Sequence, residues 1–277
     1  MISSINDCTE LNNGLKMPWL GFGVFKIEDG QKVEGAVKHA LETGYRSIDT
    51  ASVYGNERGV GKAIRESDLP REDIFLTTKV WNDAQREDRV MQAFDESLDR
   101  LNTDYVDLYL VHWPVPGRYQ ETWKVMEEIY ESGRAKAIGV SNFLVHHLED
   151  ILSSGQVVPA VNQVEFHPAL VQPELLSFCK DHNIQTEAWS PLMKGQIVEV
   201  EIVKKLADRY EKTPAQIALR WDLQHEVITI PKSERSERIE ENADIFDFEL
   251  SKEEVKMIDA LDRGKRLGPD PDNFDLP

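Results

Sequence analysis

Cysteine is nearly absent: Cys8 and Cys179 are the only two in 277 residues. They are too few and too far apart for a disulfide framework or a thiolate metal site, and both read as ordinary thiols. Basic charge is also scarce, with 32 Lys and Arg against 50 Asp and Glu, a formal net charge of −18. That balance argues against a nucleic-acid surface or an anionic membrane as partner, since both want basic patches. It leaves room for an anionic small molecule, because salt screens exposed charge beyond about 8–10 Å and a local cation cluster then acts alone. No apolar run approaches the ~20 residues that cross a bilayer. Residues Met1 to Glu10 show no basic stretch followed by an apolar one, so a cytosolic protein is the expectation. No Pro/Gly/Ser-rich linker precedes the tail from Gly268 to Pro277, which predicts one domain over residues 1–277.

Glycine-rich phosphate loops are missing as well. Gly21-Phe22-Gly23-Val24-Phe25-Lys26 breaks the G-x-G-x-x-G pattern at its last position. Gly55 to Lys62 is one residue too long for a P-loop, and Ala63 stands where Ser or Thr is needed. These glycines read as turn or packing residues.

What the chain does contain is a recurrence of short β-like run, turn and amphipathic helix. Thr9–Leu11 and Leu15–Met17 flank Asn12-Asn13-Gly14, a tight-hairpin signal. Eight strand-like runs follow: Trp19–Val24, Ser47–Asp49, Phe75–Lys79, Val106–His112, Ala137–Ser141, Ala160–Glu165, Gln185–Trp189 and Val227–Pro231. Between them, Val33, Val37, Ala40 and Leu41 keep a helical stripe that Gly44 is placed to end. Val90, Phe94, Leu98 and Leu101 form another, and Ile202, Val203, Leu206 and Tyr210 a third. Thr213-Pro214 reads as an N-cap followed by proline at the first helical position, opening Ala215 to Leu223. Eight strands alternating with helices predict an α/β fold, a (β/α)8 TIM barrel with an N-terminal β-hairpin and extra helices near the C-terminus. A doubly wound open sheet is the alternative, but it would normally carry the glycine-rich turn that is missing.

In such a barrel the chemistry sits at the carboxyl ends of the strands. Three apolar runs end there in an ionisable residue: Asp49, Lys79 and His112, spaced 30 and 33 residues apart, about one βα unit each. Tyr54 lies five residues past Asp49, within reach of the same mouth. Singly, each has a structural explanation as a packing histidine, a helix-capping aspartate or a loop aromatic. Jointly they predict one site. A desolvated Lys79 needs a counter-charge, which Asp49 supplies. Its ammonium is expected to lower the pKa of Tyr54 from near 10 and poise it as proton donor, with His112 donating to a carbonyl oxygen. A catalytic metal is not expected. His112, His146 and His147 offer no H-x-H at a strand end, and adjacent helical histidines should diverge. His167 more simply orders the loop before Pro168.

At these residues the sequence resembles the aldo-keto reductase family over nearly its whole length. The matching stretches are Gly44–Ala51 with Tyr54-Gly55-Asn56-Glu57, Thr78–Trp81, Asp107–Pro114, Gly139–Phe143 and Ile230–Ser233, in this order. Glu187-Ala188-Trp189-Ser190-Pro191-Leu192 and the tail Gly268–Phe274 are similar to the bacterial branch, with its diketogluconate and glyoxal or methylglyoxal reductases. The resemblance implies an oxidoreductase that reduces aldehydes, dicarbonyls or keto sugars with NADPH. In it Tyr54 is the general acid, Lys79 and Asp49 tune it, and His112 orients the carbonyl. It further implies that Ser141, Asn142 and Gln163 hold the nicotinamide carboxamide, whose donors and acceptor such side chains can meet. Trp189 would be the ring platform, where many members have tyrosine, with Ser190 and Leu192 beside it. Lys232, Ser233 and Arg238 would take the extra phosphate, and Glu241 and Asn242 the adenine. Phe25, Trp81 and Trp113, with His112, match or neighbour the substrate pocket. A monomer is expected, since no long heptad or apolar stripe argues for more. The rival function is a nucleotide-binding sensor or regulatory subunit on the same fold with negligible turnover. The intact set of Asp49, Tyr54, Lys79 and His112 favours the enzyme.

Overall fold

The computed structural model describes residues 2–274. A hairpin of β1 (Cys8–Glu10) and β2 (Lys16–Pro18) comes first, antiparallel with Thr9 opposite Met17. Eight parallel strands follow, paired in sequence order: β3 (Phe22–Gly23), β4 (Ser47–Asp49), β5 (Phe75–Val80), β6 (Val106–Val111), β7 (Ala135–Ser141), β8 (Val161–Glu165), β9 (Gln185–Trp189) and β10 (Ile228–Thr229). Backbone bonds from Gly21 N to Thr229 O (3.0 Å) and from Gly23 N to Pro231 O (3.2 Å), with a parallel bridge between Leu20 and Thr229, close the first strand on the last. The sheet is therefore a barrel, and the open doubly wound alternative is excluded. A Cβ on Gly21 would lie 2.9 Å from Ile230 Cγ2 at this seam. The glycine is there for close packing, as its broken motif suggests.

The helices are α1 (Gln31–Thr43), α2 (Glu57–Arg65), α3 (Asn82–Arg86), α4 (Val90–Leu101), α5 (Tyr119–Glu131) and α6 (Val145–Ser154). They continue as α7 (Pro173–Asp181), α8 (Glu201–Tyr210), α9 (Pro214–Gln224), α10 (Ser236–Ala243) and α11 (Lys252–Asp259). None among the described residues is long and apolar enough to cross a membrane. The α1 stripe of Val33, Val37, Ala40 and Leu41 is buried. Gly44 ends the helix at φ 115°, donating to Ala40 O and Leu41 O in a conformation that a Cβ would strain. Thr213 caps α9 reciprocally with Gln216, Pro214 following at the first turn. After β10, α10 packs between α9 and α1 as the last helix of the ring, and α11 is an extra helix near the C-terminus, packed on α8.

Helix stripes pack on the outer face of the sheet in one large cluster. A smaller cluster fills the barrel itself, where Leu11 and Met17 of the hairpin meet Leu108, Leu110, Ala137 and Ile228. One end of the barrel is thus plugged by apolar side chains. The polar inward residues are left to the other end.

Candidate functional site

Side chains alternate along a strand, so register decides which ones share the inner face. Lys79 pairs with Leu110, and His112 lies two residues past Leu110. Asp49 pairs with Thr77, two residues before Lys79. All three point inward, each a step nearer the carboxyl rim. Ser141 pairs with Gln163 and Gln163 with Glu187, which puts those three on the same face.

The geometry joins them. Lys79 Nζ donates to Asp49 Oδ1 (2.6 Å), Asp49 Oδ2 (2.8 Å) and the carbonyl of Thr50 (2.8 Å), which uses all three ammonium hydrogens. Lys79 is 0% exposed and Asp49 2%. Burial alone pulls the lysine pKa down, but the surrounding groups, Asp49 foremost, together reverse the effect, so the ammonium stays charged. Tyr54 ends a 3-10 turn over Ser52–Tyr54. The turn is pinned by Ser52 Oγ donating to Lys79 O (3.0 Å), and by Asn56, which bonds Thr50 Oγ1, Val24 O and Ile27 O. The Lys79 ammonium lies 5.1 Å from the Tyr54 ring centroid. His112 meets Tyr54 edge-on at 5.6 Å. The four residues expected to form one site are together at one rim.

One expectation is corrected. Burial pushes the Tyr54 phenol up to about 12, and the nearby ammonium only moderates the rise. Tyr54 therefore holds its proton throughout the neutral range. Desolvation, with Lys79 nearby, holds His112 well below its usual value, so its imidazole is neutral. Its Nδ1 is buried without a protein partner.

Around this centre stand aromatic walls. Phe25, 52% exposed, packs on Tyr54 at 4.9 Å. Trp81 meets His112 at 5.0 Å. Phe274, which sequence reasoning passed over, packs on Trp113 at 4.1 Å and on Trp81 at 6.1 Å. An aromatic residue in an otherwise polar tail was the available signal.

The residues expected to hold a carboxamide are buried and already bonded to one another. Asn142, at φ 65°, donates from Nδ2 to His112 O (3.0 Å) and Ser141 Oγ (3.1 Å). Its Oδ1 accepts from Trp189 Nε1 (2.8 Å), which fixes the half-buried indole. Ser141 Oγ donates to Gln163 O (2.9 Å). Gln163 Nε2 donates to Asp49 Oδ2 (2.8 Å) and to Glu187 Oε2 (2.7 Å). Spare acceptor lone pairs remain on Asn142 and Gln163 beside an aromatic platform, acceptors that suit the NH2 of a flat amide-bearing ring, while the side-chain hydrogens of Ser141, Asn142 and Gln163 are already committed. Ser190, at φ 55°, and Leu192 continue the loop after Trp189.

The residues expected at a phosphate are more loosely held. Lys232 Nζ is turned onto Glu234 Oε1 (2.7 Å), and Arg238 is exposed on α10. Ser233 is buried, its Oγ accepting from Arg235 N (3.1 Å). Glu241 accepts from the Thr213 hydroxyl (2.7 Å), and Asn242 is buried nearby.

A second correction concerns His146 and His147. Both reach Asp272, through Nε2 at 3.0 and 3.5 Å to Oδ1, because they lie in the first turn of α6 rather than diverging along a helix face. These three donors lie within 4.8 Å of one another. Yet His147 Nδ1 accepts from Leu144 N (3.2 Å), so Nε2 carries the hydrogen and faces Asp272 as a donor. Metal-bound histidines instead donate from the second nitrogen. The cluster is a clasp on the C-terminal tail. The tail is also held by Glu165, which accepts from Leu267 N (2.7 Å) and Gly268 N (3.1 Å) while bonded to His167 (3.0 Å). Gly268 lies so close to Trp189 that a Cβ there would sit 2.3 Å from the ring.

The sequence pattern of the aldo/keto reductase family matches residues 19–263. The glyoxal reductase of Bacillus subtilis is 54% identical over 274 residues, 99% of each chain. The methylglyoxal reductase DkgA of Escherichia coli is 48% identical over 269 residues, 96% of this chain and 97% of that one. Among solved structures, the aldo-keto reductase MGS-M4 from a Medee basin deep-sea metagenome library superposes with a TM-score of 0.94. It is 45% identical over 97% of this chain and 100% of its own. With that match across the barrel and its rim, this chain belongs to the aldo/keto reductase family.

Proposed function

We propose that this protein reduces small aldehydes, dicarbonyls or keto sugars to alcohols with NADPH, Tyr54 giving the proton. The observation that carries the reading is the buried Lys79–Asp49 pair under a protonated Tyr54, with a neutral His112 beside it. The names of the similar glyoxal and methylglyoxal reductases support the substrate class. NADPH, when bound, supplies the hydride.

The residues then divide the work. A carbonyl oxygen seated between the Tyr54 hydroxyl and the His112 ring receives hydrogen bonds that strengthen as negative charge develops on it. Tyr54 transfers its proton to that oxygen. The Lys79 ammonium stabilises the phenolate left behind, and Asp49 keeps the ammonium in place. A phenol near 12 is a weak acid in solution, but the developing alkoxide is more basic, so the transfer runs downhill. Trp81 and Trp113, covered by Phe274, and Phe25 on the Tyr54 side keep water from the reacting carbon. Trp189, Asn142, Ser141, Ser190, Leu192 and Gln163 would orient the nicotinamide, Lys232, Ser233 and Arg238 the phosphate, and Glu241 and Asn242 the adenine.

The test follows NADPH absorbance with methylglyoxal and a panel of aldehydes and keto sugars, with NADH alongside. Tyr54→Phe is expected to lower kcat about a hundredfold to ten-thousandfold, the usual contribution of a positioned acid. Full kcat in that variant overturns the proton-donor role. Tight NADPH binding with negligible turnover on every substrate makes the protein a sensor instead.

A further inference from the structure

Glu187 is a charged residue type in the middle of a strand, 0% exposed, and no part of the reaction above uses it. Parallel register sets it directly opposite Gln163, on the inner face of the barrel. Gln163 Nε2 carries two hydrogens. One goes to Glu187 Oε2 at 2.7 Å and the other to Asp49 Oδ2 at 2.8 Å, across the barrel from β8 to β4.

We propose that Glu187 is a positioning residue for the cofactor: with Asp49 it takes both amide hydrogens of Gln163 and locks that amide with its carbonyl Oε1 toward the mouth. This rests on the cofactor reading above. Asp49 is bound to the Lys79 ammonium and only accepts, so the reversed amide would press Oε1 against a carboxylate oxygen. With Nε2 committed inward, Gln163 offers the mouth an acceptor and no donor. An acceptor there pairs with the NH2 end of a nicotinamide carboxamide and not with its carbonyl end. Glu187 thus helps Asp49 fix which way round the carboxamide is read, without touching it. Glu187 Oε1 is buried without a partner, an arrangement a carboxyl tolerates when it carries a proton there. Burial and the charge of Asp49 indeed push its pKa up to about 8. The neutral acid still accepts at Oε2, so Gln at this position is a fair mimic.

The experiment measures calorimetric dissociation constants of NADP+ and of its 3-acetylpyridine analogue, in which a methyl replaces the amide NH2. The probes are used with the wild-type protein, Glu187→Gln and Glu187→Met, with Glu187→Val in place of any Met variant that does not fold. Wild type is expected to prefer NADP+ about tenfold, the size of one neutral hydrogen bond. Glu187→Gln should keep that preference. Glu187→Met, with only Asp49 left to hold the amide, should lose most of it through weaker NADP+ binding. A folded Glu187→Met or Glu187→Val with the preference intact overturns the proposal, and so does a Glu187→Gln that loses it. Wild type binding both probes equally overturns it too while leaving the cofactor reading standing. Only a wild type that binds neither probe removes the cofactor reading as well.

Discussion

Two cationic regions of this molecule are built on opposite plans. Lys79 has no exposed surface, and its three hydrogens go to three fixed acceptors. Lys232 and Arg238 sit on the surface after β10, the first folded onto a neighbouring glutamate and the second extended from a short helix. A buried charge that must keep a tyrosine poised has to be organised before substrate arrives, because any rearrangement would add to the barrier. A surface charge that meets a phosphate can be recruited on contact and contributes through a field that salt weakens. On the proposed reading, rigidity is concentrated where bonds would be made, and looseness where the ligand would only be held.

The largest effect should come from the rigid end. Lys79→Met leaves the Asp49 carboxylate buried with Gln163 as its remaining side-chain donor. Removing one member of a buried pair typically costs about 3–5 kcal/mol, which urea unfolding will read directly. Adding Asp49→Asn should restore a good part of that stability but none of the turnover. A Lys79→Met protein that unfolds at the wild-type urea concentration would mean the pair is not what stiffens this end.

At the other end, Arg238→Ala should weaken NADPH binding by roughly ten- to a hundredfold, the range of a charge-assisted hydrogen bond, and leave NADH binding unchanged. Titrations at rising salt sharpen the contrast. The wild-type advantage for NADPH should shrink as ionic strength grows, while turnover at saturating cofactor stays level. Equal losses for NADPH and NADH would place Arg238 away from the extra phosphate.

The same contrast governs what the sequence makes legible. The barrel, its hairpin and all eight strands follow from short β-like runs, turn signals and helical stripes that tertiary packing reinforces. Asp49, Lys79 and His112 are legible because one βα unit separates each from the next. Glu187 is not, since its partner Gln163 is 24 residues away and Asp49 lies across a closed barrel, 114 residues from Gln163. Only closure brings them together. The direction of the Tyr54 shift depends on how deeply the ring is buried, a quantity that residue spacing does not carry. The pairing of His146 and His147 on Asp272 depends on where α6 begins. Phe274 reaches Trp113 only because Glu165 and the two histidines tie down the chain before it.

The smallest expected effect tests whether the loose end is self-restrained. Lys232 and Glu234 lie two residues apart, with side chains 33% and 43% exposed, so their ion pair is well hydrated. Exposed pairs of this kind are worth about 0–1 kcal/mol. A phosphate arriving at Lys232 must displace Glu234 or bind beside a carboxylate that repels it. Glu234→Gln removes the competitor and the repulsion together, so NADPH affinity should rise by up to about fivefold with thermal stability unchanged. NADH affinity, with no phosphate to gain from the freed ammonium, should stay level. A fall in NADPH affinity would show instead that Glu234 holds Lys232 in its binding position, and the surface end would then be preorganised like the rim.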